Sequence, residues 1–299
     1  MATTVQTERG RFCYAWHGPR DRPPIVAIGG LTDQLDHWPE AWASVFAARG
    51  HPLLVFDARD TGLSDHLDHL SLPSAKELAL IALGLPSKHK ALYTLGDMAE
   101  DVRALTHSLG VPSFHVVGYS MGGQVAQALA LAHPHAVLSM TLLFSTSGAE
   151  SLPLPPPSLF AALLGCCTRT AEEGKAVGDL LKLLRLTRSP VFGQPEIELE
   201  QVARASVRRA YRPEGVARHL HAVLTSEPVA PRLGAVGCPT LVLQGERDPF
   251  FPPAHGADLV RRIPGARMES IADAGHALEP AIASVLAESV LRNVAINPR

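Results

Sequence analysis

Apolar runs too short to be helices recur along most of the chain, separated by longer amphipathic stretches. Ile25-Val26-Ala27-Ile28 is unbroken by any polar residue and ends at Gly29-Gly30, and His51–Phe56, Phe114–Val117, Val137–Phe144 and Thr240–Gln244 are short runs that are mostly apolar. Such runs predict strands buried on both faces. Arg11–Trp16 alternates in strand fashion, and Arg267–Ile271 predicts a last strand. Between them the spacing predicts helices over Trp38–Ala48, from a cap at Asp97 with Met98, Val102, Leu105 and Leu109 on one face, over Gln124–His133, and over Ala254–Ile263. A final helix carries Ile282, Val285, Leu286 and Val290 on one side. Strand alternating with helix is the signature of an α/β fold, a mostly parallel sheet with helices on both faces.

One segment departs from this alternation. Residues 149–235 offer no convincing strand, hold nine prolines, and carry helical stretches such as Val177–Leu186 and Leu199–Ala210. The Pro-rich run Leu152–Pro157 opens the segment and Pro228–Cys238 closes it. The predicted organisation is a core of residues 1–148 and 236–299, with residues 149–235 inserted as a helical cap over one end of the sheet. An ordinary second helical domain is the alternative.

Composition narrows the partners. The chain has 299 residues, 46% of them hydrophobic, with 27 basic against 29 acidic residues. No basic cluster longer than Arg208-Arg209 or Arg261-Arg262 occurs, so no nucleic-acid footprint is present. Cys13, Cys166, Cys167 and Cys238 form no spaced framework, which points to reduced thiols and a cytoplasmic setting. No apolar stretch approaches the length needed to span a bilayer, Leu78–Leu85 being the most apolar. Small molecules are the expected partners, and oligomeric state is silent.

Chemistry enters at Gly118-Tyr119-Ser120-Met121-Gly122-Gly123, placed between a predicted strand and a predicted helix. This is a G-x-S-x-G nucleophile elbow: the sharp strand-to-helix turn exposes the serine hydroxyl at a helix start, and the flanking glycines leave room for neighbouring backbone. The Gly29-Gly30-Leu31 stretch after the first long parallel strand is the matching oxyanion loop. The backbone N–H groups of Leu31 and Met121 are the expected oxyanion donors.

A serine nucleophile needs a base and an acid to orient it. Asp248, in the loop after the Thr240–Gln244 strand, is the favoured acid, with Glu246 and Asp273 as rivals. His276 lies between the last strand and the last helix, and the order Ser120, Asp248, His276 suits an α/β hydrolase; His255 is the rival base. Asp65-His66-Leu67-Asp68-His69 suggests metal ligands but lacks a metal-site spacing and reads as a solvated loop. Cys166-Cys167 reads as buried packing. Neither a metal nor a cofactor is implied, since the triad supplies nucleophile, base and oxyanion donors itself.

These stretches, together with Phe56–Ser64, Leu243–Pro249 and Gly275–Leu278, resemble the α/β-hydrolase superfamily over essentially the whole chain, and within it the aclacinomycin methylesterase-like serine hydrolases. The resemblance implies Ser120 as nucleophile, His276 as base, Asp248 as its acid, and residues 149–235 as the cap that shapes the acyl and alcohol pockets. It also implies that Arg59-Asp60 fixes a turn. This chain has Gly29-Gly30 where many relatives carry His-Gly, which leaves the backbone role intact. The loop Asp65–Tyr93 is long and, with the cap, is expected to line the pocket. The expected activity is hydrolysis of a small-molecule carboxylic ester through an acyl-enzyme. Lactones, thioesters and C–C bonds are alternatives for the same triad, and a non-enzymatic small-molecule receptor is a further one.

Overall fold

The computed structural model describes residues 2–85, 92–170 and 172–296. Its centre is an eight-stranded sheet of β1 (Thr3–Thr7), β2 (Gly10–His17), β3 (Ile25–Ile28), β4 (Leu53–Phe56), β5 (Phe114–Tyr119), β6 (Val137–Leu143), β7 (Thr240–Gly245) and β8 (Arg267–Ile271), in the order β1-β2-β4-β3-β5-β6-β7-β8. The first two strands run antiparallel, and β4 to β8 are parallel with β3 among them. The polar edge strand β1, Thr-Thr-Val-Gln-Thr, has too little hydrophobic signal to be predicted.

The uninterrupted apolar strands are explained by what covers them. Ile25 and Ala27 face one side of the sheet with Leu53, Val55 and Val117, packed against α1 (Glu40–Ala48) and α10 (Ala283–Val294). Val26 and Ile28 face the other with Leu54, Phe56 and Val116, under α3 (Leu95–Ser108), α4 (Met121–Ala132) and α9 (Pro253–Arg262). Because successive residues point to opposite faces, both sets must be apolar.

Two helix details differ from the expectation. Thr94, not Asp97, is the N-cap of α3; Asp97 sits three residues on, and its carboxylate accepts from Thr94 N at 2.9 Å while Thr94 Oγ1 accepts from Asp97 N at 3.0 Å. Asp97 therefore closes a capping box. Val285 is 58% exposed, so the buried face of α10 runs through Ala283, Leu286, Ala287 and Val290 instead.

Residues 149–235 contain α5 (Pro157–Cys166), α6 (Glu173–Thr187), α7 (Glu196–Ala210) and α8 (Pro213–Thr225), with no strand among the described residues. Their inward faces form a separate apolar cluster that includes Leu159, Leu180, Leu199, Leu220 and both Cys166 and Cys167. Burial pushes the Cys166 thiol up to about 11, as befits a packing residue. Leu78, from the short helix α2 (Ala75–Ala82), joins the same cluster.

Two buried ion pairs tie these helices to the core. Arg218 of α8 grips Asp60 through Nε at 2.9 Å and Nη2 at 2.7 Å, with Tyr93 OH also donating to Asp60 at 2.9 Å. Arg209 of α7 donates to both oxygens of Asp57, at 3.2 and 2.9 Å. Asp60 adopts φ 61°, and its neighbour Arg59 pairs with Asp101. The Arg59-Asp60 turn is thus held by partners on α3 and α8. Asp65 accepts from Arg11 N, His66 Nε2 contacts Gly62 O, and Asp68 faces Arg218 and Arg212, so the Asp65–His69 stretch is engaged by the protein itself.

Candidate active site

Strand register assembles the site. Ile28 pairs with Gly118, Tyr119 with Leu143, and Gly245 with Ile271, so the loops after β3, β5, β7 and β8 emerge together at the carboxyl edge of the sheet. The sheet order reverses around β3, the position where open α/β sheets leave a crevice.

Ser120 sits at the apex of the β5–α4 turn with φ 55° and ψ −119°, a backbone conformation costing on the order of 1–3 kcal/mol for a residue with a side chain. The turn is enforced by close packing. A Cβ on Gly118 would lie 2.3 Å from Gly122 O, and one on Gly122 would lie 2.0 Å from Ile28 O. Ser120 N donates to Leu143 O at 3.0 Å and Ser120 O accepts from Ser145 Oγ at 2.8 Å, fixing the apex from the β6 side.

His276 Nε2 lies 2.9 Å from Ser120 Oγ, and its Nδ1 lies 2.8 Å from Asp248 Oδ2. The other Asp248 oxygen accepts the N–H groups of Phe250 and Phe251, each at 2.8 Å, so the carboxylate has one orientation. Tyr119, Phe250 and Phe251 place their rings 4.9–5.4 Å from the imidazole, and His276 and Asp248 are both buried. Tyr119 OH donates to His276 O at 2.7 Å; burial pushes its phenol well above the ordinary value, which keeps the donor protonated.

The rivals lie elsewhere. Glu246 is exposed, and Asp273 faces Arg247. His255 bonds Thr146 Oγ1 and Pro153 O.

Leu31 and Met121 border the same cavity as Ser120, and among the described residues neither backbone N–H donates to a protein acceptor. The Gly29–Asp33 loop is clamped by a residue the sequence reading missed. Asp33 Oδ2 accepts Gly30 N at 2.7 Å, while Asp33 Oδ1 lies 3.0 Å from His37 Nδ1. Burial works to lower the His37 pKa, but the bond and charge of Asp33 outweigh it and the net shift is upward. A polar residue closing a turn that follows paired glycines was the available signal. A second missed contribution comes from the end of α6: Thr187 O accepts His276 N at 2.7 Å, and a Cβ on Gly275 would lie 2.4 Å from that oxygen. Ser189 adds bonds to Asp273 O and Glu279 Oε1. Nothing local marks a backbone carbonyl as a partner for a histidine loop almost ninety residues away.

The cavity holds about 640 Å³. Its roof is apolar, with Phe160, Leu163, Leu180, Leu183, Leu199 and Leu220 from α5–α8; its floor carries Ser120, His276, Gln124 and the Asp33–His37 pair. No described residue of Asp65–Tyr93 lines it, contrary to the expectation from the sequence. There α2 packs against α8 and α5 instead.

The chain matches the α/β-hydrolase fold family over residues 23–278 and belongs to it. It is 29% identical to a rhodomycin D methylesterase of Streptomyces sp. strain C5, over 91% of this chain and 90% of that one, and equally so to the rhodomycin D methylesterase of Streptomyces peucetius. Among solved structures, an enol-lactonase from Burkholderia xenovorans superposes with a TM-score of 0.76 at 20% identity, covering 98% of this chain and 100% of that one. A thermophilic esterase from Thermogutta terrifontis superposes with 0.73 at 20% identity, covering 99% and 98%. Among the described residues no helix is long and apolar enough to cross a membrane.

Proposed function

We propose that this chain is a serine carboxylic-ester hydrolase acting on a small-molecule ester, with Ser120, His276 and Asp248 as its triad. The observation that carries the proposal is the unbroken relay from Ser120 Oγ to His276 to Asp248, at 2.9 and 2.8 Å, bordering a largely apolar cavity. The likeness to two methylesterases over most of the chain supports the ester as substrate.

In this reading His276 Nε2 takes the Ser120 proton as Oγ attacks the ester carbonyl, and Asp248 holds Nδ1–H so that Nε2 is the free base. The N–H groups of Leu31 and Met121 receive the oxyanion, each donor contributing roughly 3 kcal/mol in the transition state. His276 returns its proton to the leaving alcohol, and water then clears the acyl-enzyme by the same relay. Residues 149–235 act as the cap: the volume of about 640 Å³ suits a drug-sized molecule, and the leucine roof favours a largely apolar one.

A fluorophosphonate probe should label Ser120 in the wild type and leave Ser120→Ala unlabelled, with p-nitrophenyl ester turnover lost in parallel. Labelling of the alanine variant, or its full activity, would sink the proposal.

A further inference from the structure

Most polar side chains bordering the cavity are already engaged by the protein. Gln194 Nε2 donates to Glu198 at 3.2 Å, Thr187 Oγ1 bonds Leu183 O at 3.0 Å, and Asp33 holds both Gly30 and His37. Besides the Nε2 of His37, which is buried without a hydrogen-bond partner among the described residues, Gln124 stands apart. It borders the cavity from the first turn of α4, is 8% exposed, and among the described residues its carboxamide makes no hydrogen bond. Three residues on, Gln127 does not border the cavity: its Nε2 donates to both Gly123 O and Thr146 O, while its Oε1 is buried without a partner among the described residues. The Gln124 amide, with two donors and an acceptor, is open to the cavity, where a leucine or methionine of similar volume would present only apolar surface. A polar group retained there implies a partner that arrives with the ligand.

Four residues of helix advance about 6 Å, so Gln124 follows Ser120 by roughly one turn on the side facing the same cavity. We propose that Gln124 is a specificity-determining residue, whose carboxamide binds a hydroxyl or keto oxygen carried a few bonds from the ester carbonyl of the substrate. The inference rests on the esterase reading and narrows it to oxygen-substituted esters. A carboxamide both donates and accepts, so either oxygen satisfies it, and an unsubstituted hydrocarbon leaves it unpaired.

The test compares methyl 3-hydroxy-3-arylpropanoate with its matched 3-arylpropanoate in the wild type, Gln124→Leu and Gln124→Met. The wild type should prefer the hydroxylated ester by about tenfold in kcat/KM, and both variants should bring that ratio close to one. A ratio that survives in the variants overturns the proposal, as does a wild type with no preference. The esterase reading is judged separately, by Ser120 labelling and p-nitrophenyl ester turnover, so a wild type that turns over neither methyl ester leaves the role of Gln124 to binding. Equilibrium binding of the same two compounds, followed by fluorescence of the cavity residue Trp38, then decides the role of Gln124. Tighter binding of the hydroxylated compound that is lost in Gln124→Leu upholds it, and equal binding overturns it.

Discussion

The floor and the roof of the cavity are built on opposite principles. On the floor, hydrogen bonds of 2.7–2.9 Å hold His276 from four directions: Ser120, Asp248, Tyr119 OH and Thr187 O. The roof is lined by leucines and anchored to the loop after β4 by the Arg209–Asp57 and Arg218–Asp60 pairs. A displacement of a few tenths of an ångström breaks a relay of hydrogen bonds, whereas an apolar wall absorbs it by small rotamer shifts. The difference explains why the floor is written in short contiguous motifs while the roof carries none.

Variants can push on each side of this contrast. The largest effect belongs to the floor: Ser120→Ala should lower kcat by about a million-fold with an unchanged melting temperature. Asp248→Asn should cost about ten-thousand-fold by presenting the wrong His276 tautomer. A loss of similar size from a single roof leucine would break the distinction. At the anchor, Asp60→Asn should lower stability by about 3 kcal/mol in urea unfolding, since it removes the buried counter-charge of Arg218 and leaves only the exposed Asp68.

That anchor has a pH signature. Burial favours the neutral form of Asp60, but the Arg218 bonds outweigh it and hold the carboxyl below its ordinary value. The folded state then binds fewer protons than the unfolded one, so the contribution is complete above about pH 4 and is lost as pH falls through the folded value. The stability gap between wild type and Asp60→Asn should therefore narrow in acid.

Smaller effects sharpen the picture. Asp33→Ala should lower kcat by roughly tenfold to a hundredfold with little change in KM, because it frees the loop on which Leu31 is the proposed oxyanion donor. Thr94→Ala, remote from both floor and roof, should cost about 1 kcal/mol of stability and leave ester kinetics unaltered.

Legibility in the sequence followed the range of the interactions. The strands β3 to β7, the elbow and the loops bearing Asp248 and His276 are each carried by neighbours within about ten residues, through burial pattern or turn chemistry. The polar strand β1 and the solvent-facing Val285 escaped because pattern alone does not say which edge or face meets water. Asp97 was misplaced by one turn because a capping box uses two residues and the acidic one is the more conspicuous. The Asp65–Tyr93 loop was expected at the pocket, yet its helix α2 joins the apolar cluster of α5–α8 through Leu78.

By itself the sequence determined the layered sheet, the position of Ser120 at the apex of a strand-to-helix turn and the order of the segments bearing Asp248 and His276, since each depends on local backbone geometry and on which short segments must be buried. The tertiary structure alone decided that Thr187 O would brace the His276 loop, that Arg218 and Arg209 would pin the helices to Asp60 and Asp57, and that Gln124 would face the cavity without a partner. These contacts join residues up to about 160 positions apart, and a pairing across such a distance leaves no periodicity, spacing or turn signal in either of its halves.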